Sequence, residues 1–182
     1  VAVVEAVAIR EDGSIVPSTS VGNSKTWLDL AKKVIVEVNT WQPAGLEGMH
    51  DIYYGTALPP HRKPIPLINA NDRIGQDTLK VDPSKVVAVV YTNGPDRNSP
   101  FKPVDEDSKQ IAAYLIDFLK HEVSKGRLPA NLLPLQSGVG NIPNAVLAGL
   151  AKSGFHGLTA FTEVIQDGML DLLRSGVLAS AS

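Results

Sequence analysis

The chain has 182 residues, a length for one or two compact domains, since domains commonly run to roughly 100–200 residues. Its 17 Lys and Arg against 19 Asp and Glu leave a formal charge of −2, with 43% apolar and 20% charged residues. That balance describes a globular chain able to bury a core and excludes a disordered tail, a basic nucleic-acid binder and a polybasic membrane anchor. The absence of cysteine excludes a disulfide scaffold, a thiolate metal site and a Cys nucleophile, and is compatible with a reducing compartment.

Val1 to Ile9 (VAVVEAVAI) is apolar at nearly every position and rich in β-branched residues, which predicts a strand buried on both faces. Asp12-Gly13 marks a turn, and Ser14 to Pro17 reads as a short returning strand. One or two helical turns are expected over Thr26 to Ala31, then a strand over Val34 to Asn39 (VIVEVN). From Trp41 to Pro66 the Gly and Pro content, with Pro59-Pro60 adjacent, predicts a long irregular segment. Val86 to Tyr91 (VVAVVY), ended by Asn93-Gly94-Pro95, reads as a central parallel strand.

Ser108 to Ser124 carries Ile111, Leu115, Phe118, Leu119 and Val123 at helical spacing, with acids at its start, Lys120 and His121 towards its end, and Gly126 as its stop. Leu132 to Gln136 then reads as a short strand, Pro143 to Ser153 as a helix ended by Gly154, Gly157 to Thr162 as a strand, and Gln166 to Ser175 as a helix ended by Gly176. Alternation of strand and helix implies βαβ units, an α/β class and a mostly parallel sheet. No internal repeat or low-complexity tract is present.

Gln136 to Pro143 (QSGVGNIP) places a Gly-x-Gly turn between a predicted strand and a predicted helix. Glycines let backbone approach a ligand closely, and a helix N-terminus aims unpaired N–H groups and partial positive charge at an anion. Glu163 follows the next strand, on the same carboxyl edge where open α/β sheets bind ligands. Three readings stay open. The glycines make only a tight turn and Glu163 only caps the next helix. Alternatively, the 138–163 unit is an NAD(P)-binding strand–helix–strand of an oxidoreductase, since an acid about twenty residues after a Gly-x-Gly is the expected spacing; Pro143 in the third glycine position and Pro134 in the strand speak against it. The third is acyl transfer, with Glu163 as nucleophile and the 138–140 amides as an oxyanion hole. His50, His61, His121 and His156 show no metal-ligand spacing, so no metal is expected. P-loop, nucleophile-elbow and EF-hand signatures are absent.

Leu132 to Ile142 (LLPLQSGVGNI) and Phe161 to Asp167 (FTEVIQD) resemble the acetyl-CoA hydrolase/transferase family, the class I CoA-transferases that include succinyl-CoA:acetate CoA-transferase. The resemblance extends through Pro17 to Asn23 (PSTSVGN), Trp41-Gln42-Pro43, Gly48 to Tyr53 (GMHDIY), Asn71 to Gly75 (NDRIG) and His121 to Pro129 (HEVSKGRLP), so it covers nearly the whole chain. It implies α/β lobes of CoA-transferase (NagB/RpiA-like) topology, incomplete here: residues 1–58 as the end of an N-terminal lobe, 59–82 as a connection and 83–182 as the start of a C-terminal lobe.

By motif, Glu163 matches the glutamate that forms a covalent glutamyl-CoA thioester. Gly138, Val139, Gly140, Asn141, Ile142 and Pro143 match the loop that lines the CoA thioester, with the Val139 amide as an oxyanion contact. The implied activity moves CoA between a short-chain acyl-CoA and acetate, or hydrolyses acetyl-CoA. Coenzyme A enters as substrate, with no permanently bound cofactor. Nucleic-acid and membrane partners are not expected; a homodimer, or association with the missing parts of the protein, is. The chain opens on Val1 inside an apolar run with no targeting segment, and family members extend beyond both ends. It is therefore expected to be a fragment, with catalytic silence on its own as a third outcome. The cytoplasm is the default location, a mitochondrial one staying open should a presequence precede Val1.

Overall fold

The computed structural model describes residues 1–98 and 103–182. The chain forms two compact units: residues 1–66 with 73–98, and residues 67–72 with the described part of 99–182.

In the first unit, β1 (Ala2–Ile9) turns at Gly13 into antiparallel β2 (Ile15–Pro17). Helix α1 (Ser24–Leu30) then leads to β3 (Val34–Asn39), which runs parallel to β1. Strand β4 (Val86–Thr92) pairs parallel with β3, giving the order β2-β1-β3-β4. Side chains alternate across a strand, so the register Ala2↔Val34, Val4↔Val36 and Ala6↔Val38 stacks one apolar row. That row is buried with Ile15, Leu28, Ile52 and Leu79.

Two expectations are corrected here. β1 buries one face rather than two, since Val3 is 58% exposed. β4 is an edge strand among the described residues rather than a central one, and Val87, Val89, Val90 and Tyr91 are exposed. A continuous apolar run states that a strand is suited to burial on both faces; which neighbours it finds is decided by long-range pairing.

The pairing of β4 with β3 also places residues 86–92 in the first unit. Part of the segment expected to be a connection is tied to the same unit. Ile15 and Leu79 exchange backbone hydrogen bonds of 2.8 Å each, and Ile52 and Gln76 do so at 2.7 and 3.0 Å. Asp51 holds this crossing: its carboxylate accepts from the Ile74 N–H at 3.1 Å and the Gly75 N–H at 2.6 Å, while the Arg73 guanidinium donates to the Gly48 carbonyl at 3.0 Å and to the His50 carbonyl. Gly75 presses on the Ile52 backbone so closely that a Cβ would lie 2.3 Å from its carbonyl carbon and oxygen.

The outer face of the sheet places Glu5 opposite Glu37 in register. Like charges directly opposite destabilise a sheet, and each carboxylate is supplied with its own donor. Asn39 Nδ2 donates to Glu5 at 2.7 Å, and the Thr92 hydroxyl donates to Glu37 at 2.8 Å. Burial pushes the Glu5 carboxyl up, but hydrogen bonds from Ser18, Asn39 and Gln42 outweigh it and hold the group below its ordinary value.

In the second unit, Asp105 caps α2 (Glu106–Ser124) by accepting from the Ser108 N–H at 2.8 Å. Then follow α3 (Asn141–Leu150), β5 (Leu158–Ala160), α4 (Asp167–Arg174) and β6 (Leu178–Ala181), with β5 and β6 parallel. Ile116, Leu132, Leu147, Leu158, Met169 and Leu172 belong to its core. β6 is an additional strand beyond the expected elements.

Helix α2 forms as expected but faces otherwise. Ala112 and Ile116 are buried, with Leu119 and Val123 partly so, whereas Ile111, Leu115 and Phe118 are exposed. The small Ala112 and the close approach of Gly149 to Ile116, 3.4 Å from a Cβ position, let α3 pack on the narrower side. The expected strand over Leu132 to Gln136 shrinks to one bridge at Leu135, because Leu132 and Leu133 are left-handed (φ 60° and 63°) and Pro134 has no N–H. Among the described residues no helix is long and apolar enough to cross a membrane.

Replacing Gly75 by Ala is expected to lower the stability of the first unit by about 2–3 kcal/mol, because backbone must move to admit the Cβ; chemical denaturation of the intact protein measures it. Glu5→Gln keeps one acceptor oxygen for Asn39 and Gln42 but removes the charge that strengthens their bonds and replaces the other oxygen with an amide donor, and is expected to cost about 1–2 kcal/mol at pH 7. The folded-state group titrates below its unfolded value, so its stabilisation is present above the unfolded value of about 4 and is lost as pH falls through the folded one. The gap between Glu5→Gln and the parent should therefore close in denaturation curves taken at progressively lower pH.

Candidate active site

The second unit sends two loops off one sheet edge. Leu135 bridges Ala160 in parallel, with the Leu135 N–H donating to Thr159 at 2.8 Å and the Phe161 N–H donating back to Leu135 at 2.9 Å. Both the Leu135 segment and β5 therefore point their carboxyl ends the same way. The first continues into the 136–140 turn and α3, the second into the 161–166 loop and α4.

Gly140 stands at the N-cap of α3 with φ 132° and ψ 179°, a conformation essentially restricted to glycine. Helix α3 has neither a side-chain cap nor an acidic residue in its first turn, and Pro143 lies within that turn. The first N–H groups of a helix have no intrahelical partner, so those of Asn141 and Ile142 are free to meet an anion. Gly138 is different: its φ is not positive and a Cβ there would meet nothing within 4 Å, so the chain's own packing does not demand glycine.

Glu163 lies in the loop after β5 and is exposed, and no donor or cation pairs with its carboxylate among the described residues. The exposed apolar residues Val139, Phe161, Val164 and Ile165 belong to the same two loops, and the exposed Ile142 to the first turn of α3. Asp105 also belongs to this unit; its carboxyl sits below the ordinary value chiefly through Ser108, with a smaller contribution from the Asn141 side chain.

His50 and Asp51 form no catalytic pair: His50 Nε2 lies 3.0 Å from the Pro17 carbonyl, and Asp51 is engaged with the Ile74 and Gly75 amides. Val21 to Asn23 and His50 to Tyr53 instead line an open hollow of about 360 Å³ in the first unit. Among the described residues, no three metal-ligating side chains converge.

A family model for the acetyl-CoA hydrolase/transferase N-terminal domain matches residues 1–91. The chain belongs to the acetyl-CoA hydrolase/transferase family. It is 52% identical over 181 residues to an acetyl-CoA hydrolase of Eremothecium gossypii, covering 100% of this chain and 34% of that protein. It is 51% identical over 176 residues to a succinyl-CoA:acetate CoA-transferase of Clostridium kluyveri, covering 97% of this chain and 32% of the relative. Solved structures share the fold: RipA from Yersinia pestis (TM-score 0.61, 22% identity) covers 97% of this chain with 31% of its own, and a 4-hydroxybutyrate CoA-transferase from Porphyromonas gingivalis (TM-score 0.58, 21% identity) covers 97% with 34%. The chain thus spans about a third of the length of the curated relatives it matches.

Within this family member, the structure adds residues that motif spacing did not single out. The Thr162 hydroxyl lies 3.1 Å from the Ser137 carbonyl, to which it donates, and 3.4 Å from the Ser137 N–H, from which it accepts. Gln166 Nε2 donates to the Gly138 carbonyl at 2.8 Å. Gln166 occupies the N-cap of α4, where Ser, Thr, Asp and Asn are preferred, and it makes no cap hydrogen bond because its side chain is turned to the glycine loop.

Gly140→Ala is expected to destabilise the second unit by about 1–3 kcal/mol, because alanine rarely adopts this φ,ψ pair. Protease protection of the 103–182 region in the intact protein measures the change.

Proposed function

We propose that the protein carrying this chain moves CoA between a short-chain acyl-CoA and a carboxylate such as acetate, or passes it to water, through a glutamyl-CoA thioester on Glu163. One observation carries the reading: an exposed carboxylate and a helix N-terminus, neither of them with a side-chain partner among the described residues, stand on segments that leave the same edge of a parallel sheet. The names of the relatives support the same chemistry.

In the proposed reaction the Glu163 carboxylate attacks the thioester carbonyl of acyl-CoA. The tetrahedral oxyanion collapses by breaking the C–S bond, which releases CoA thiolate and leaves an acyl-glutamyl anhydride. The thiolate then attacks the Glu163 carbonyl carbon, the C–O bond to the acyl group breaks, and the first carboxylate departs. An incoming carboxylate reverses both steps on the thioester, whereas water yields free CoA and regenerated glutamate. Each attack places negative charge on an oxygen. N–H groups of 138–142, fixed in advance by the turn, are suited to receive it, and one such donor is typically worth about 2.7–4 kcal/mol. A carboxylate nucleophile needs no partner base, so the absence of a Ser-His-Asp arrangement raises no difficulty.

The apolar residues of the two loops supply a rim that sheds water when substrate covers it, which favours transfer over hydrolysis. In the same proposal the first unit is the end of an N-terminal lobe and the second the start of a C-terminal lobe. Homodimerisation, or association with the rest of the polypeptide, gives the exposed face of α2 a partner, and the cysteine-free composition suits a cytoplasmic setting. No observation favours the dinucleotide-binding alternative.

Intact-mass analysis after incubating the intact protein with acyl-CoA should show a CoA adduct that maps to Glu163. Glu163→Gln should abolish the adduct and lower kcat by roughly a thousandfold or more. Retention of full transferase activity by Glu163→Gln would remove Glu163 as nucleophile.

A further inference from the structure

We propose that Thr162 and Gln166 are positioning residues, a clasp that locks the Glu163 loop to the glycine turn so that carboxylate and oxyanion donors are held as one body. The inference rests on the reading of Glu163 given above and adds two residues to it.

The main-chain ladder between the two segments ends at the bond from the Phe161 N–H to Leu135. Successive N–H groups of extended chain point to opposite neighbours, and the next one, that of Thr162, donates to the Ser182 carbonyl just past β6 at 2.8 Å. The 136–140 turn is then joined to the 161–166 loop by side chains. Thr162 pairs reciprocally with the Ser137 backbone, and Gln166 reaches the Gly138 carbonyl at 2.8 Å and the Ser137 hydroxyl at 3.4 Å. Thr162 immediately precedes Glu163 and Gln166 lies three residues after it, so the nucleophile-bearing residue is bracketed by the two contacts.

Gln166 is only 6% exposed, and its Oε1 is buried without a partner among the described residues. Its amide orientation is therefore set by the bonds that Nε2 makes to the Gly138 carbonyl and, longer, to the Ser137 hydroxyl. Turned over, Oε1 would face the Gly138 carbonyl, acceptor against acceptor. A buried amide whose two bonds both go to the glycine turn, at an N-cap that it does not cap, is arranged for that turn rather than for its own helix. The consequence is geometric: a misplacement of about 1 Å between reacting groups can cost on the order of a hundredfold in rate.

Steady-state kinetics of the intact protein with acyl-CoA and acetate, together with the single-turnover rate of CoA-adduct formation, tests the clasp. Gln166→Met keeps the volume and removes the donor; Thr162→Val does the same for the hydroxyl. Each is expected to lower kcat and the adduct rate by roughly 10- to 100-fold, with KM for acyl-CoA changed less than about threefold. Thr162→Ser should restore kcat to within about threefold of the parent, and the double variant should lose less than the product of the single losses. The clasp is refuted if Thr162→Val and Gln166→Met keep kcat within about twofold, or if the loss falls on KM alone. Should Gln166→Met not fold, the Thr162→Val and Thr162→Ser pair decides by itself. Glu163→Gln separates the two levels: activity in that variant sinks the nucleophile, whereas an inactive Glu163→Gln beside an undiminished Thr162→Val sinks the clasp alone.

Discussion

Parallel pairing of Leu135 with Ala160, and of β5 with β6, sends every following loop off the same edge of the sheet, and the candidate site depends on that constraint. An antiparallel neighbour would have delivered the glycine turn to the opposite edge from Glu163. With the parallel arrangement in place, the N-terminus of α3 and the Glu163 carboxylate, both without a side-chain partner among the described residues, share one side of the second unit without any residue being brought there by a long excursion. What remains is fine adjustment, and two side chains on the Glu163 loop perform it by bonding to the carbonyls of Ser137 and Gly138.

The first unit solves a different problem. Its parallel register sets Glu5 against Glu37, a pairing that costs energy unless each carboxylate is occupied separately, and Asn39 and Thr92 occupy them. The long irregular stretch after β3 has little regular backbone pairing of its own. Asp51 and Arg73 substitute side-chain bonds for it, so that Ile52 and Leu79 can enter the core from a segment without a strand or α-helix. Asp51, Ile52, Arg73 and Gly75, which lie in motifs that carry the family resemblance, thereby have a structural account, with Gly75 required by the Ile52 backbone.

Much of this was legible locally. β3 matches its expected limits, and α3 and α4 lie within about three residues of the expected ones, because apolar periodicity and terminating glycines are written within a few residues of the element they describe. The Gly-x-Gly turn and Glu163 were legible as residue types at the ends of adjacent segments, and the family was legible from motif order. Thr162 and Gln166 were not, since a threonine and a glutamine announce no chemistry until their partners are known. Nor was the inner face of α2: Ile111, Leu115 and Phe118 satisfy the helical period as well as Ala112, Ile116, Leu119 and Val123 do.

The amino-acid sequence by itself determined most of the strands and helices, the α/β class, the family and the candidate nucleophile, all properties of near neighbours or of motif order. Only the tertiary structure decided that β4 stands at the edge of its sheet among the described residues, that α2 turns its Ala112 side inward, that Leu132 to Gln136 contributes a single bridge, and that the glycine turn is fastened to the Glu163 loop. The physical reason is common to all four. Each is a choice among partners distant in the chain, settled by packing volume and by which hydrogen-bonding groups remain unpaired once the rest of the fold is made.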